Sequence, residues 1–269
     1  MLSLFNILTS LKILEEHKKR FNIKHFLIII LVLVIVIAVI ISVNEFSFKK
    51  EYEPGAALAE QLPRFRLIDM DNIGIAGDAD KDGINDQKDI MLGAKKQLEN
   101  PAKNIFLEEG ETNYYQGGDP PENLADCTDV IARAFLEAGF DLREMVDEDI
   151  RDNFDEYPLR EIWGQRTSDP NIDYRRIQNL EVFFKRNAKV LDILFVAADS
   201  SNLNSWLPGD VIFFDMDRDG YTDNVSIISD NTTREGIPKI IYNYIDPGYT
   251  VERNILKEKI ITGHYRFQN

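Results

Sequence analysis

One thiol and two aspartate-rich loops are the groups in this 269-residue chain whose type and spacing could do chemistry. Cys127 is the only cysteine. It stands where a loop of turn residues, Gly117-Gly118-Asp119-Pro120-Pro121, gives way to apolar residues at helical spacing: Val130, Ile131, Ala134, Phe135 and Ala138, ended by Gly139. Cys127 therefore falls in the first helical turn. Unpaired backbone N–H groups and the positive end of a helix dipole favour a thiolate there, as a nucleophile requires. The competing reading of a lone cysteine is a small buried hydrophobe.

Asp78, Asp80, Asp82, Asp86 and Asp89 occupy positions 1, 3, 5, 9 and 12 of a loop with Gly83 at position 6. That arrangement wraps oxygen ligands around Ca²⁺. Asp78, Asp80, Asp82 and Asp89 would ligate by side chain, Ile84 by its carbonyl, and Asp86 directly or through water. The last ligand is Asp in place of the bidentate Glu of an EF-hand, so the loop looks more like the calcium repeats of extracellular modules, with weak affinity expected. The alternative is an Asp-Gly-rich surface turn. A second loop carries Asp215, Asp217, Asp219, Gly220 and Asp223 at positions 1, 3, 5, 6 and 9, with only Ser226 at 12. A hairpin turn explains it nearly as well as a second Ca²⁺ site.

The elements that must position these groups follow from patterning. Residues 26–43 are 18 residues, all apolar but Ser42, enough for one membrane-spanning helix. Lys12, Lys18, Lys19, Arg20 and Lys24 precede it, which predicts a cytoplasmic tail over 1–25 and a main domain outside the membrane. No small-x-small site follows the run, so an uncleaved, single-pass anchor in the cell membrane is expected in preference to a signal peptide. Residues 44–66, mixed in charge and without a sustained period, read as a stalk. Beyond residue 45 the chain carries 26 Lys and Arg against 43 Asp and Glu. That balance argues against nucleic acid as a partner. A single cysteine excludes an intramolecular disulfide, so the domain over 67–269 is held by its core. Helices are expected over about 87–98, from Cys127 to Gly139, over about 142–154 and over about 179–186. β-Branched and aromatic runs then predict strands over 211–214, 225–228, 239–244 and 260–267. Helices first and strands second indicate an α+β domain with an antiparallel sheet.

A cysteine at a helix start, followed by Trp206-Leu-Pro-Gly-Asp-Val-Ile-Phe-Phe and a strand hairpin, resembles the papain-like wall amidases and endopeptidases of the NlpC type. The sequence is more closely similar to a bacterial envelope group, domain-of-unknown-function family 1287, over about residues 70–269. The stretches carrying this are GGDPPENLADCTDV (117–130), DPNIDYRR (169–176), NLEVFF (179–184), LPGDVIFFD (207–215), NVSIISD (224–230) and ITGHYRF (261–267). The resemblance implies a papain-like fold, helices packed on the sheet, and hydrolysis of amide bonds in cell-wall peptide or peptidoglycan fragments.

The chain departs from the family where catalysis should sit. Asn224 stands where the family has histidine at the start of the strand after the hairpin. Tyr242 replaces a second histidine, with Asn243 kept, and Tyr174 replaces a third. A carboxamide has no basic site and is no substitute for imidazole as proton acceptor. Three histidines exist, and His17 and His25 lie by the membrane segment, which leaves His264 as the imidazole the outer domain could offer. Two readings stand: a cysteine hydrolase using Cys127 with Asn224, Asn243 and His264 around it, impaired by Asn224; or an inactive, calcium-stabilised binding module for wall fragments or a partner protein.

Overall fold

The computed structural model describes Leu31, Met70 and residues 77–110 and 113–267. The chain divides into two units, Met1–Leu62 and Pro63–Asn269. In the first, Leu31 is helical and exposed. The expected tail, membrane span and stalk otherwise lie outside the described residues, among which no helix is long and apolar enough to cross a membrane.

The second unit is α+β, with helices preceding most of the strands as the patterning indicates. Helix α1, Asp86–Lys96, begins at the cap Asn85, carries Asp86 and Asp89 in its first turn and Lys95 and Lys96 in its last, so its charges complement its dipole. Short parallel strands β1 (Lys103–Asn104) and β2 (Leu124–Ala125) lead into α2, Cys127–Glu137. Helix α3, Leu142–Asp152, is capped by Asp141. After a short α4 (Leu159–Trp163) comes α5, Ile177–Asn187, two residues longer at its start than its apolar spacing suggests.

Six strands form an antiparallel sheet: β3 (Lys189–Val190), β4 (Val211–Asp215), β5 (Asn224–Thr232), β6 (Pro238–Tyr242), β7 (Val251–Arg253) and β8 (Ile260–Arg266), in the order β3-β8-β4-β5-β6-β7. Between β3 and β4 lies a one-turn helix α6, Ser200–Leu203. The period-two alternation of strands sorts side chains onto two faces. Val211, Phe213, Val225, Ile227, Ile241 and Tyr265 face the helices and join Ile131, Phe135, Leu180 and Phe184 in one core. Ile212, Phe214, Ile228, Ile240 and Tyr242 face the other way and pack with Trp206 and Met216 in a second. Every residue of β4 is buried, which is why Val211–Phe214 is apolar without alternation. The edge strands β3 and β7 were not visible in the patterning, because each is two or three exposed or half-buried residues with no apolar alternation.

The start of α2 is fixed by a buried ion pair. Arg175, in a 3-10 turn ahead of α5, sets its Nε 2.6 Å from Asp129 Oδ1 and its Nη2 2.8 Å from Asp129 Oδ2. The same guanidinium lies 3.6 Å from Asp126 and donates to the Asn113 carbonyl at 2.9 Å. Its side chain has no exposed surface. Asp126 and Asp129 are the two halves of the α2 capping box, so one arginine holds the helix cap from outside. Helix α1 crosses α2 at Gly93, where an added Cβ would stand 2.7 Å from the Ala134 carbonyl oxygen and 3.0 Å from Ala134 Cα.

Two outcomes follow. Gly93→Ala, which in a free helix would stabilise by about 1 kcal/mol, should instead destabilise the chain by about 1–3 kcal/mol because backbone is the obstacle; an unchanged or raised denaturant midpoint would show that the helices do not meet there. Arg175→Met should cost about 3–5 kcal/mol by stranding buried carboxylate, and combining it with Asp129→Asn should recover part of that loss in the same denaturant titration. A double variant as unstable as the sum of its singles would remove the ion pair from this account.

Candidate functional site

Cys127 is the first residue of α2, and its position is set from both sides. Asp126 accepts hydrogen bonds from Thr128 N at 2.8 Å, Thr128 Oγ1 at 2.6 Å and Asp129 N at 3.2 Å, while Asp129 accepts from Asp126 N at 2.8 Å. Thr128 Oγ1 also lies 3.2 Å from the Arg175 carbonyl, tying the helix start to the 3-10 turn. The thiol is half-buried against the helix-side core, and the N–H of Val225 in β5 donates to its sulfur.

The electrostatics differ from what a helix N-terminus alone suggests. Burial first, then Asp126, with Asp129 and Asp223 behind, push the Cys127 thiol well above the usual range, and the Val225 hydrogen bond offsets only part of this. A dipole worth about half a charge is set against three carboxylates, two of them in the cap that makes the helix. Burial, with Asp126 next, also lifts Asp129 to about 6 against the pull of Arg175.

Asn224 is fully buried. Its Nδ2 donates to the Asn243 carbonyl at 2.9 Å and its Oδ1 accepts from Ser226 Oγ at 2.7 Å. The backbone of the Asn224–Val225 step is thus at the thiol, while the Asn224 side chain turns to the face of β5 shared with Ser226 and Ile228. Asn243 continues this polar cluster, donating to the Ala102 carbonyl at 3.0 Å and Thr250 Oγ1 at 3.2 Å and accepting from Asn104 at 2.8 Å.

His264 belongs to another place. It pairs across from Ile212, on the face of the sheet away from α2, and β4 separates its strand from β5. Its ring stacks on Trp206 at 4.1 Å between centroids. Nδ1 is 3.0 Å from the Asp192 carbonyl and Nε2 is 3.0 Å from Asp210 Oδ2, both of them acceptors. Asp210 is further clasped by Arg266 at 2.7 Å through both oxygens and by Gln87 at 2.9 Å. Tyr242 packs in the second core, and Tyr174 donates to Asp119 at 3.0 Å.

Asp223, marked by the residue pattern only as a loop position, also acts on the thiol, and its partner Tyr244 was not singled out at all. Asp223 accepts from Met216 N at 2.8 Å and from the Tyr244 hydroxyl at 2.7 Å. Arg175 was also missed as a partner, although two buried acids flanking a cysteine require a cation nearby. A pocket of about 580 Å³ opens on the far side of α2, lined by Gln97, Asp119, Asp129, Arg133, Arg143 and Tyr174 among others.

The two aspartate loops share one geometry. Asp82 N donates to Asp78 Oδ1 at 3.1 Å and Gly83 N to Asp78 Oδ2 at 3.1 Å; Asp219 N donates to Asp215 Oδ1 at 3.2 Å and Gly220 N to Asp215 Oδ2 at 3.0 Å. Lys81 and Arg218 both take the left-handed conformation, at φ 64° and 68°. Asp78, Asp80 and Asp82 bring carboxylate oxygens within 4.8 Å of one another, as do Asp215, Asp217 and Asp219. Burial first, then Asp82, Asp80, Asp86 and Asp78, lift Asp89 to about 6. Ile84, whose carbonyl would be the seventh-position ligand, donates its N–H to Asp82 at 2.8 Å.

The chain is 35% identical over 179 residues to the uncharacterized protein YijF of Escherichia coli (strain K12), covering 66% of this chain and 80% of that one. Among solved structures it is similar to NlpC1 from Trichomonas vaginalis, with a TM-score of 0.39 and 14% identity, over 70% of this chain and 46% of that one. The chain thus spans less than half the length of that structure. The family model described as Domain of unknown function (DUF1287) matches residues 93–267, and the chain belongs to that family.

Proposed function

We propose that the domain is a retired cysteine hydrolase that binds a cell-wall peptide or peptidoglycan fragment in the pocket beside α2 and does not cut it. The observation carrying this is the absence, among the described residues, of an imidazole at the thiol: His264 has both ring nitrogens occupied on the opposite face of the sheet.

Amide hydrolysis by a thiol needs a group that takes the thiol proton and returns it to the leaving amine. Each candidate near Cys127 is already spoken for. Asp126 and Asp129 cap α2 and pair with Arg175, Asp223 holds Met216 N and Tyr244, and Asn224 is not basic. Three carboxylates around the sulfur also oppose the anion that must attack. The pocket on the far side of α2 carries both signs of charge, Lys96, Arg133 and Arg143 with Glu99, Glu122 and Glu137, which suits a peptide bearing amines and carboxylates. The apolar run 26–43 supports a membrane tether for this domain.

Labelling of Cys127 in the full chain with iodoacetamide tests the reading. The rate at about pH 7.5 should be at least about tenfold below that of a free-cysteine peptide and should still be rising near pH 9. Fast labelling near neutral pH, or release of amine from wall peptides that Cys127→Ser abolishes, would establish the hydrolase instead. Wall peptides should be retained by wild type and by Cys127→Ser with affinities within about twofold of each other, since each 1.4 kcal/mol of lost contact would show as tenfold. No retention by either protein would end the binding proposal.

A further inference from the structure

We infer that the loop from Asp78 to Asp89 is a divalent-cation site suited to Ca²⁺, and that the second aspartate loop, of the same backbone geometry, is not. The difference lies in two buried oxygens. Asp86 and Asp89 are 3% and 6% exposed, and the Oδ2 of each has no hydrogen-bond partner. A buried carboxylate oxygen without a donor is costly, and natural structures rarely leave one so. The Oδ1 of Asp86 is already engaged, accepting from Ala79 N at 2.7 Å, and glycine at position 77 leaves room for its Oδ2, which an added Cβ there would meet at 2.4 Å. The nearest charges to Asp89 are the loop carboxylates themselves. Asp78, Asp80 and Asp82 bring carboxylate oxygens within 4.8 Å of one another, and a cation among them would draw on the neighbouring Asp89 and Asp86 carboxylates, with the Ile84 carbonyl adding a neutral oxygen.

In the second loop the equivalent positions are already satisfied. Asp223, at position 9, accepts from Met216 N and the Tyr244 hydroxyl, and position 12 is Ser226, whose hydroxyl donates to Asn224. No buried donor oxygen is left for an ion. The first loop also precedes the family match, which begins at residue 93, so this site is independent of the function proposed above. Between the two stranded aspartates, Gln87 donates to the Pro208 carbonyl at 2.8 Å and to Asp210 at 2.9 Å. An ion that fixes the start of α1 therefore also braces the turn into β4.

The test is titration of the metal-stripped full chain with CaCl₂, followed by calorimetry and by thermal melting. One ion per chain should bind, with a dissociation constant of about 10⁻⁴–10⁻³ M, the range of extracellular modules, and the melting temperature should rise with Ca²⁺. Asp89→Asn and the exposed Asp80→Asn should each weaken binding at least about tenfold while melting cooperatively in EDTA, and Asp217→Asn should leave it unchanged. No saturable binding up to about 10 mM Ca²⁺, or binding lost in Asp217→Asn and kept in Asp89→Asn, would overturn the assignment.

Discussion

The ion pair between Arg175 and Asp129 is the interaction on which the arrangement around Cys127 depends. Two acids are needed to cap α2, and packing the helix against the sheet buries both of them. Buried charge without a partner is expensive enough to unfold a domain of ordinary stability. Arg175 resolves this from a distant stretch of sequence and, through the Asn113 carbonyl and its place above the Tyr115 ring, draws the loop before the cysteine into the same cluster. The local energetics of a helix start thus set the long-range assembly of the domain. The same charges that secure the helix also hold the thiol proton in place, so stability and nucleophilicity pull in opposite directions at Cys127.

A second constraint is the two-faced sheet. Because β4 is covered on both sides, the domain has two cores, and groups that are near in sequence pattern fall on separate faces. His264 and Tyr265 are adjacent residues of β8, yet Tyr265 packs with the helices and His264 stacks on Trp206 opposite them. The histidine is part of a buried cluster in which Asp210 is shared with Arg266 and Gln87. That cluster supports the Pro-Gly-Asp turn, where Gly209, at φ 85°, lets the chain pass within reach of Gln87, since an added Cβ would meet the Gln87 carbonyl at 2.2 Å. The turn motif is therefore explained by packing against α1.

The two aspartate loops show how little a motif decides by itself. Apart from an extra bond from Arg218 N to Asp215 in the second, their hydrogen bonds correspond, down to the position-9 carboxylate accepting from the residue after the first aspartate, at 2.7 Å in one and 2.8 Å in the other. Only the surroundings differ. In one, α1 follows at once and buries the last two acids. In the other, β5 follows, and Tyr244 from beyond the neighbouring strand takes the oxygen that an ion would otherwise need.

Much of this was legible in the sequence. Helix-period spacing placed Cys127 at a helix start, apolar runs placed β4, β5, β6 and β8, and acid spacing marked both loops, because each depends on residues within one turn or one strand. The short edge strands escaped notice, since exposed strands of two or three residues carry no period. Partners across the fold were likewise invisible: Arg175 for Asp129, Tyr244 for Asp223, Gln87 for Asp210. So was the face on which His264 lies, because alternation says that neighbouring residues part company but not which core each one joins. The sequence by itself determined most of the elements, the single thiol and the asparagine at position 224. Only the tertiary structure decided that the thiol sits among carboxylates and that its one candidate imidazole is fixed across the sheet, because charge and burial are set by what packs around a residue and not by what precedes it in the chain.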